Sequence, residues 1–483
     1  MRGTREGPIR EAEDSKATAP SATYVAGNAH VRAHGGPQGD FDKLTVVAVN
    51  GVVALVKFAP EIDRLNLAST RPNPFMSSAY LKCYALRSEY FQPGRGERIF
   101  LIRQGCRLIG CAPMRCTAND FAMLVGPLAR LGVRLQCLAP LDTYQPGILV
   151  APEDEERVAA ALIQHFCEHE RGWGMLEFVG QRPGTALHRA VHAAANRKFR
   201  ARDYTVEPYT EIALVWNSLG AYFQSLTKKM RSNVSRQARR LFAAGEAELI
   251  LAEGAAAVTA WLDVYCDLDR RSWKCGTSAS IERNPRRVRF YRDIVAGEAG
   301  LDPEFVGVML NGVLIAGLLI GSNTSASPDN HGAWCLEMAY DQSLADLGPG
   351  QLLLLLAVGM AIEKSHRYLN FMQNFAYYKH RWAAEPIHVV NIQLIRCLSL
   401  HNASAYLGVA KRELRAWQRL PSEVGMPRDE QPAGRDRNAN PSVAMANREH
   451  AGNLTAAALA HGGPGVRRLG RNAYRALLPF DVD

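Results

Sequence analysis

Three common features are missing from this chain of 483 residues, and each absence excludes a class of protein. The ten cysteines form no CxxC pair and no Cys/His cluster at zinc spacing, so the sequence predicts no metal site. Cys106, Cys111 and Cys116 are evenly spaced and are interpreted as small apolar residues on two paired strands. The longest apolar run, residues 352–362, is roughly half the length that spans a bilayer and predicts a buried helix instead of a transmembrane segment.

The third missing feature is a secretory signal, because the amino terminus mixes both charges and has no apolar stretch. We therefore expect a cytoplasmic protein. The length and composition predict a disordered segment at 1–40, domains at 41–206 and 207–422, and a disordered tail at 423–483 with room for one short basic helix.

The overall charge is positive and admits several kinds of partner. The formal net charge is +10 and the sequence pI is near 9.1. A net positive charge is compatible with binding to coenzyme phosphates, nucleic acid, acidic glycans or an anionic membrane surface. It does not distinguish among these partners.

Residues 225–245 hold six cationic side chains and no acid. At the helical period, one face carries five apolar residues that are predicted to face a core: Leu226, Met230, Val234, Ala238 and Leu241. The opposite face carries five basic residues: Lys228, Lys229, Arg236, Arg239 and Arg240. Arg231 falls at the seam, from which its guanidinium can reach an adjoining cleft. The helix is thus either a solvated basic face or one wall of an anion site.

The same order of elements occurs twice along the chain. Residues 97–116 predict a hairpin that turns at Gln104-Gly105, and residues 303–322 predict another that turns at Asn311-Gly312. Each hairpin precedes helices and further strands, the last of them a long strand at 387–397. This pattern predicts a duplicated α/β architecture with mixed sheets.

Two segments of the second half carry candidate chemistry. After a strand that ends at Asp341, a Gly-Pro-Gly loop opens an apolar helix and so places free backbone N–H groups at a helix N-terminus, where anions bind. Residues 374–385 group aromatic and basic side chains in a short predicted helix. A lysine there is either a stem packed on rings or a cation held where negative charge develops.

The order of these motifs resembles the CelD-like branch of the GNAT acyltransferase superfamily, which is related to the Fem-type peptidoglycan aminoacyltransferases. The resemblance covers residues 43–400 and rests on xLTKKxRxNxxRxxRRLxxxG, RSWK, FYR, the NG hairpin, a strand ending in YD, a Pro-Gly helix start and YK..W. It implies an α/β fold of tandem GNAT-like domains, each a mixed β-sheet flanked by helices.

The resemblance also implies a reaction and a set of site residues. An acyl group would pass from acetyl-CoA or another acyl-CoA to an amine or hydroxyl of a sugar or amino-acid-like acceptor, with no metal, and a role in envelope or exopolysaccharide synthesis. Gly348, Gly350 and Gln351 would bind the coenzyme at the helix start. The acceptor would meet Lys228, Arg231 and Trp273, and Lys379 and Tyr378 of the YK motif would lie at the reaction centre.

One departure from the family pattern concerns the general base. Relatives carry an acidic residue shortly before the YK motif, whereas this chain has the amides Asn370, Gln373 and Asn374, which cannot remove a proton. Three other residues are candidates for the base: Glu337, Asp341 and His380. Catalysis by positioning alone, with an acceptor amine that arrives neutral, is the remaining option.

Three alternatives stay open. The first is a Fem-type transferase that uses aminoacyl-tRNA, although the sequence has no long heptad segment for the helical insertion of such enzymes. The second is a nucleic-acid-binding protein that uses the basic helix, although no aromatic stacking strip accompanies it, so we expect no specific nucleic-acid partner. The third is a catalytically inactive scaffold of a polysaccharide-synthesis complex.

Overall fold

A computed structural model describes most of the chain after residue 42. The described residues are 43–87, 97–118, 133–137, 144–170, 173–277, 279–323, 331–373, 377–397, 451, 454–460, 465–469 and 478–480. Within these ranges, none of the helices combines the length and apolarity that a bilayer crossing requires.

The first part of the chain builds one mixed sheet and its helices. Its elements are β1 (Leu44–Asn50), α1 (Gly51–Lys57), α2 (Ala59–Ala68), α3 (Ser78–Arg87), β2 (Glu97–Gln104), β3 (Arg107–Ala118), β4 (Val133–Cys137), β5 (Leu149–Val150), α4 (Glu155–Glu168), β6 (Met175–Gln181), α5 (Ala186–Ala193) and β7 (Phe199–Thr205). The predicted hairpin is confirmed as β2 and β3, and Gly105 takes the positive φ that its turn needs. β4 and β6 run parallel, and the other pairs of this sheet are antiparallel.

The second part of the chain builds another mixed sheet. Its elements are β8 (Tyr209–Ala213), α6 (Leu219–Ser225), α7 (Lys228–Ala244), β9 (Ala247–Glu253), α8 (Ala255–Arg271), α9 (Pro285–Val295), β10 (Asp302–Leu310), β11 (Val313–Ser322), β12 (Gly332–Tyr340), α10 (Pro349–Glu363), β13 (Tyr368–Gln373), α11 (Tyr377–His380), β14 (Glu385–Ile387), β15 (Val390–Arg396) and β16 (Val466–Leu469). The order across this sheet is β14-β8-β13-β12-β11-β10-β9-β16. The predicted α/β architecture with two mixed sheets and flanking helices is therefore confirmed.

The strand predicted at 387–397 is found as β15, and only its first residue, Ile387, belongs to a separate strand, β14, of the other sheet. β14 pairs with β8 of the second sheet, whereas β15 lies between β6 and β7 of the first, whose order is β1-β2-β3-β4-β6-β15-β7. An unbroken alternation of apolar residues marks a strand but does not say which sheet receives it. A strand from within the range 207–422 therefore completes the first sheet.

The tail also differs from the sequence expectation in two of its described stretches. Residues 454–460, within the segment predicted to be disordered, are helical. Residues 466–469 are a strand, not the start of a short basic helix, and they pair with β9 at the edge of the second sheet. Arg468 forms an ion pair with Glu248 at 2.7 Å, and Arg467 one with Glu253 at 2.8 Å. Arginines in a strand beside acidic partners are held by cross-strand pairs, which a helical reading of the same residues does not reveal.

The second sheet has a different core on each face. One face packs on α7 and α10, and the apolar face predicted for the basic helix is confirmed, since Met230, Val234 and Ala238 are buried there. The other face packs on α8 and α9 through residues such as Trp261 and Tyr291. Any side chain of the central strands therefore belongs to one of two separate environments.

Candidate active site

The candidate site lies where two parallel strands of the second sheet separate. β12 and β13 pair only from Gly332 to Trp334, opposite Tyr368 to Asn370. Beyond this point β13 is irregular, and Met372 has a positive φ of 58°. The carboxyl ends of the two strands thus diverge and leave backbone groups that are not bonded across this pair.

A β-bulge in β12 determines which face of the sheet the Glu337 side chain occupies. Opposite β11, Leu319 pairs with Glu337 and Ile320 with Cys335, so Leu336 is the extra residue. Regular alternation would put Cys335 and Glu337 on one face. With the bulge, Cys335 joins the core on the α7/α10 face, whereas Glu337 contacts Tyr291 on the α8/α9 face.

Glu337 is buried and is held by two cations. Its side chain forms ion pairs with Lys274 and Arg287, and the Tyr291 hydroxyl lies 3.4 Å from Oε1. The residue is 5% exposed. Two cationic side chains therefore hold the Glu337 carboxylate in place on the α8/α9 face.

Asp341 lies at the end of the same strand and is also buried. One carboxylate oxygen accepts from Arg271 at 2.6 Å, and the other accepts from the backbone N–H of Ser343 at 2.9 Å. Asp341 therefore caps the turn that leads to α10. Ser272 forms an isolated bridge with Asp341, and this brings the next residue, Trp273, to the same end of β12, where its side chain is 47% exposed.

Lys379 lies on the other side of the sheet. Its Nζ donates to the backbone carbonyl of Phe371 at 2.9 Å, and the side chain is 4% exposed. Burial lowers the pKa of Lys379 to about 8, although the thiol of Cys335 and the carboxylate of Glu207 act in the opposite direction. The lysine thus lies between β12 and β13 on the α7/α10 face, with an amine that titrates near neutral pH.

The start of α10 lies against the basic helix α7. Gly348 is the residue before the helix and has a φ of 63°, and a Cβ there would collide with the side chain of Gln237. At Gly350 a Cβ would lie 3.0 Å from the ring of Tyr340. Gln351 accepts from Asn233 of α7 at 3.2 Å. The positive φ of Gly348 favours glycine there, and the contact with Tyr340 leaves little room for a side chain at Gly350.

The cations of α7 have different environments. Arg231 donates to the backbone carbonyls of Gln224, at 2.8 Å, and Leu226, so it holds the end of α6. Lys228 is exposed in the first turn of α7, directly after the N-cap Thr227. The predicted binding helix is therefore anchored by Arg231 and offers Lys228 to solvent.

An acidic side chain does lie beside Asn370, although it comes from a different strand. Glu211 of β8 accepts from Asn370 Nδ2 at 3.1 Å and forms an ion pair with Arg71 at 2.7 Å. Arg71 also lies 4.0 Å from the ring of Tyr368 and lines a cavity of about 210 Å³ in the first half. Motif spacing did not reveal Glu211, because β8 precedes β13 by some 150 residues.

The structure describes the remaining candidate residues only in part. His380 is exposed at the end of α11. Tyr378 belongs to α11, but its side chain lies outside the described part of the chain, as do the Gln373 side chain and the whole of Asn374. The structure brings Gly348, Gly350 and Gln351 together at one helix start, and it separates Lys379 from Glu337 by the thickness of the sheet.

Comparisons with known proteins agree with this description of the second half. Residues 228–380 match the family model described as Acetyltransferase (GNAT) domain. This match spans α7 to α11 and includes the α10 start, β12, β13 and Lys379. No curated protein sequence matches the chain.

Several solved structures are similar over most of the chain. They include the tandem GNAT protein from the clavulanic acid biosynthesis pathway, with 13% identity, 74% of this chain and 100% of that chain covered, and a TM-score of 0.44. FemX has 11% identity, coverage of 76% and 99%, and a TM-score of 0.41. A conserved protein of unknown function from Bacteroides thetaiotaomicron has 11% identity, coverage of 71% and 97%, and a TM-score of 0.44. Likenesses this distant say nothing of substrate.

Proposed function

We propose that this protein is an acyltransferase whose second half transfers an acyl group from acyl-CoA to an amine or hydroxyl. The observation that carries the proposal is the coincidence of three features within the GNAT match: the glycine start of α10, the divergence of β12 and β13, and the buried Lys379 between them. Acetyl-CoA is the simplest donor. We place the protein in the cytoplasm, with domains at 41–206 and 207–422 and a sugar or amino-acid-like acceptor of envelope or exopolysaccharide synthesis.

The start of α10 supports the donor half of the proposal. At the start of α10 the backbone N–H of Gln351 already donates to the carbonyl of Gly348 at 3.0 Å and Pro349 has no N–H, so the N–H of Gly350 is the group that we propose binds a phosphate oxygen. Gly350 is partly exposed at this helix start, whereas Gly348 is buried against Gln237 of α7, and Gln351 is the next polar residue of the turn. The coenzyme pyrophosphate would bind here, and its pantetheine arm would extend between the diverging strands.

Lys379 supports the chemical half of the proposal. Acyl transfer from a thioester develops negative charge on the carbonyl oxygen and then on the leaving sulfur. With a pKa of about 8, Lys379 is largely protonated at pH 7 and can donate to either atom. One acceptor of its Nζ is the neutral carbonyl of Phe371, and a reacting oxyanion would bind the ammonium group more strongly than this carbonyl does.

The acceptor would approach from the α8/α9 side, past Trp273. Asp341 and Glu337 are the candidate bases there, but each carboxylate already contacts a cation, so an acceptor would have to displace an existing contact to reach it. We therefore favour an acceptor amine that arrives neutral and is positioned for attack, with Glu337 and Asp341 fixing the local charge. Tyr378 stays a candidate proton donor to the leaving thiolate.

The experiment measures donor binding and turnover separately with purified full-length protein. Thermal unfolding is followed with acetyl-CoA, bulk tRNA or duplex DNA, and release of the coenzyme thiol is followed with pooled amino sugars and amino acids as acceptors. We expect stabilisation by acetyl-CoA and acceptor-dependent thiol release. Stabilisation by DNA or tRNA without acetyl-CoA binding would overturn the proposal.

A pair of variants tests the site itself. Lys379→Met should bind acetyl-CoA but lose acceptor-dependent thiol release, whereas the control Lys229→Met, on the exposed face of α7, should match the parent protein. If Lys379→Met turns over at the parent rate, the reaction centre lies elsewhere even though the class of enzyme stands.

A further inference from the structure

Two histidines and an aspartate converge on the outer surface of the first sheet, far along the chain from the candidate active site. His188 Nε2 lies 2.9 Å from one carboxylate oxygen of Asp203, and His192 Nε2 lies 2.9 Å from the other. The three potential ligand atoms lie within 4.8 Å of one another. In the described ranges, this is the group of three or more His, Cys, Asp or Glu side chains that is close enough to hold a metal ion.

The local fold explains why these side chains meet. His188 and His192 are four residues apart on α5, so they share one face, and their ring centroids are 4.6 Å apart. Leu187 and Val191 turn the neighbouring face of α5 into the core. The histidines are consequently left at the border between helix and solvent.

The third residue comes from the edge strand β7. Phe199 and Ala201 of this strand pack in the same core as α5, and Asp203 continues their alternation two residues later. Asp203 therefore points to the face that α5 covers, beneath the two imidazoles. Its pKa is lowered, since hydrogen bonds from His192 and His188 outweigh the desolvation that acts to raise it.

We propose that His188, His192 and Asp203 form a zinc site that ties α5 to β7. Imidazole nitrogens and one carboxylate are ligands that Zn²⁺ accepts, and three protein ligands leave a fourth tetrahedral position for solvent. On binding, each Nε2 gives up its hydrogen, with the neutral ring protonated at Nδ1, and the ion replaces the two hydrogen bonds to Asp203. No oxidation or reduction is involved.

A second histidine pair in the same half shows that the spacing alone does not make such a site. His165 of α4 and His169, the residue that follows α4, are also four residues apart, but their ring centroids are 5.5 Å apart. His165 faces Glu170 at 3.6 Å and His169 faces Glu168 at 3.7 Å, so the two rings turn to different carboxylates. Only a shared carboxylate aims both Nε2 atoms at one point.

The charged neighbour on α5 does not oppose the ion. Arg189 follows His188 in sequence, but its guanidinium donates to Glu156 of α4 and to the backbone carbonyl of Gly184. The role proposed for the metal is to link α5 to β7, with its fourth position open to solvent. β7 is the edge strand of the first sheet, paired with β15, so a metal link to α5 would hold that edge in place.

The test uses the full chain after treatment with a chelator. Zn²⁺ is titrated by calorimetry and by thermal unfolding, and Co²⁺ is added as a spectroscopic probe. We expect one site, a rise in Tm on zinc addition, and visible cobalt bands typical of nitrogen and oxygen ligands. A cobalt spectrum dominated by the near-ultraviolet charge-transfer band of thiolate would instead place the metal on cysteines and overturn the proposal.

Variants assign the ligands. We expect His192→Asn and Asp203→Asn each to weaken zinc binding more than about tenfold, because even partners one step removed from a metal are worth that much. His169→Asn is the matched control and should bind as the parent does. Equal binding by all four proteins, or no binding by the parent protein, would show that the cluster is held by hydrogen bonds alone. Because all readouts are independent of turnover, they do not depend on the proposed acyltransferase activity.

Discussion

Glu337 and Lys379, on opposite faces of the second sheet, are candidate catalytic groups whose charges are held in different ways. On the α8/α9 face, Glu337 is surrounded by Lys274 and Arg287, so its charge is neutralised by its neighbours. On the α7/α10 face, Lys379 donates to the neutral carbonyl of Phe371 and carries its charge at a desolvation cost, which appears as a pKa of about 8. The first arrangement fixes a structure, whereas the proposed function assigns the second the donation of a proton or hydrogen bond.

The largest expected effect concerns the stability of the neutralised face. Glu337→Gln leaves Lys274 and Arg287 buried beside a neutral amide, and removal of one member of a buried ion cluster costs about 3–5 kcal/mol of unfolding free energy. Urea denaturation measures this loss. The control Asp263→Asn breaks an exposed ion pair with Arg292 and should cost less than ~1 kcal/mol. Equal losses in both variants would show that the Glu337 cluster is not held as a buried unit.

The next effect concerns catalysis on the other face. Lys379→Met should lower kcat by about 10²–10³-fold, the range for removal of one donor to a developing oxyanion. Its unfolding free energy should change far less than that of Glu337→Gln, since a buried cation and its desolvation cost disappear together. Single-turnover kinetics measure the loss of rate, and urea denaturation of the same variant measures the change in unfolding free energy. A kcat loss for Glu337→Gln as large as that for Lys379→Met would remove the contrast between the faces.

The pH dependence of kcat tests the same difference between the two faces of the sheet. If protonated Lys379 is the donor, kcat should fall as the pH rises through about 8, because the amine loses its proton there. In Lys379→Arg the guanidinium stays charged, so the descending limb should disappear even if the rate is lower. A rate that instead rises through the same range would assign Lys379 the role of a base. Profiles measured with a hydroxyl acceptor avoid titration of the acceptor itself.

The smallest effects concern the basic helix. Arg231→Met removes hydrogen bonds to the carbonyls of Gln224 and Leu226 and should cost about 1 kcal/mol of unfolding free energy. Lys228→Met, on the exposed first turn, should change stability by less than ~0.5 kcal/mol. If Lys228 contacts an anionic acceptor, the same variant should raise KM without changing kcat. An unchanged KM would leave Lys228 as part of the solvated face.

Local patterns predicted the elements of the site better than the directions of their side chains. The amphipathic α7, both hairpins and the glycine start of α10 follow from periodicity and turn residues. The direction of Glu337 does not, because one extra residue in β12 turns the side chain to the other face. The burial of Lys379 between two strands is likewise a tertiary property that no local pattern encodes.

Two further groups of side chains combine residues that are separated in the sequence. Glu211 reaches Asn370 only because β8 pairs with β13, and His188 and His192 meet Asp203 only because β7 lies against α5. A sequence search for cysteine pairs and for metal ligands at fixed spacing does not detect the cluster of His188, His192 and Asp203. In both cases pairing between strands and helices, not spacing along the sequence, places the chemistry.

The position of β15 has a consequence for how the protein is made. During synthesis β6 and β7 emerge roughly 200 residues before the strand that separates them in the finished sheet. The first sheet cannot reach its final strand order on the ribosome until nearly all of the second sheet has been translated. A ribosome stalled after β14 would therefore carry an amino-terminal half with an open seam, and the two halves must mature together although the chain presents them one after the other.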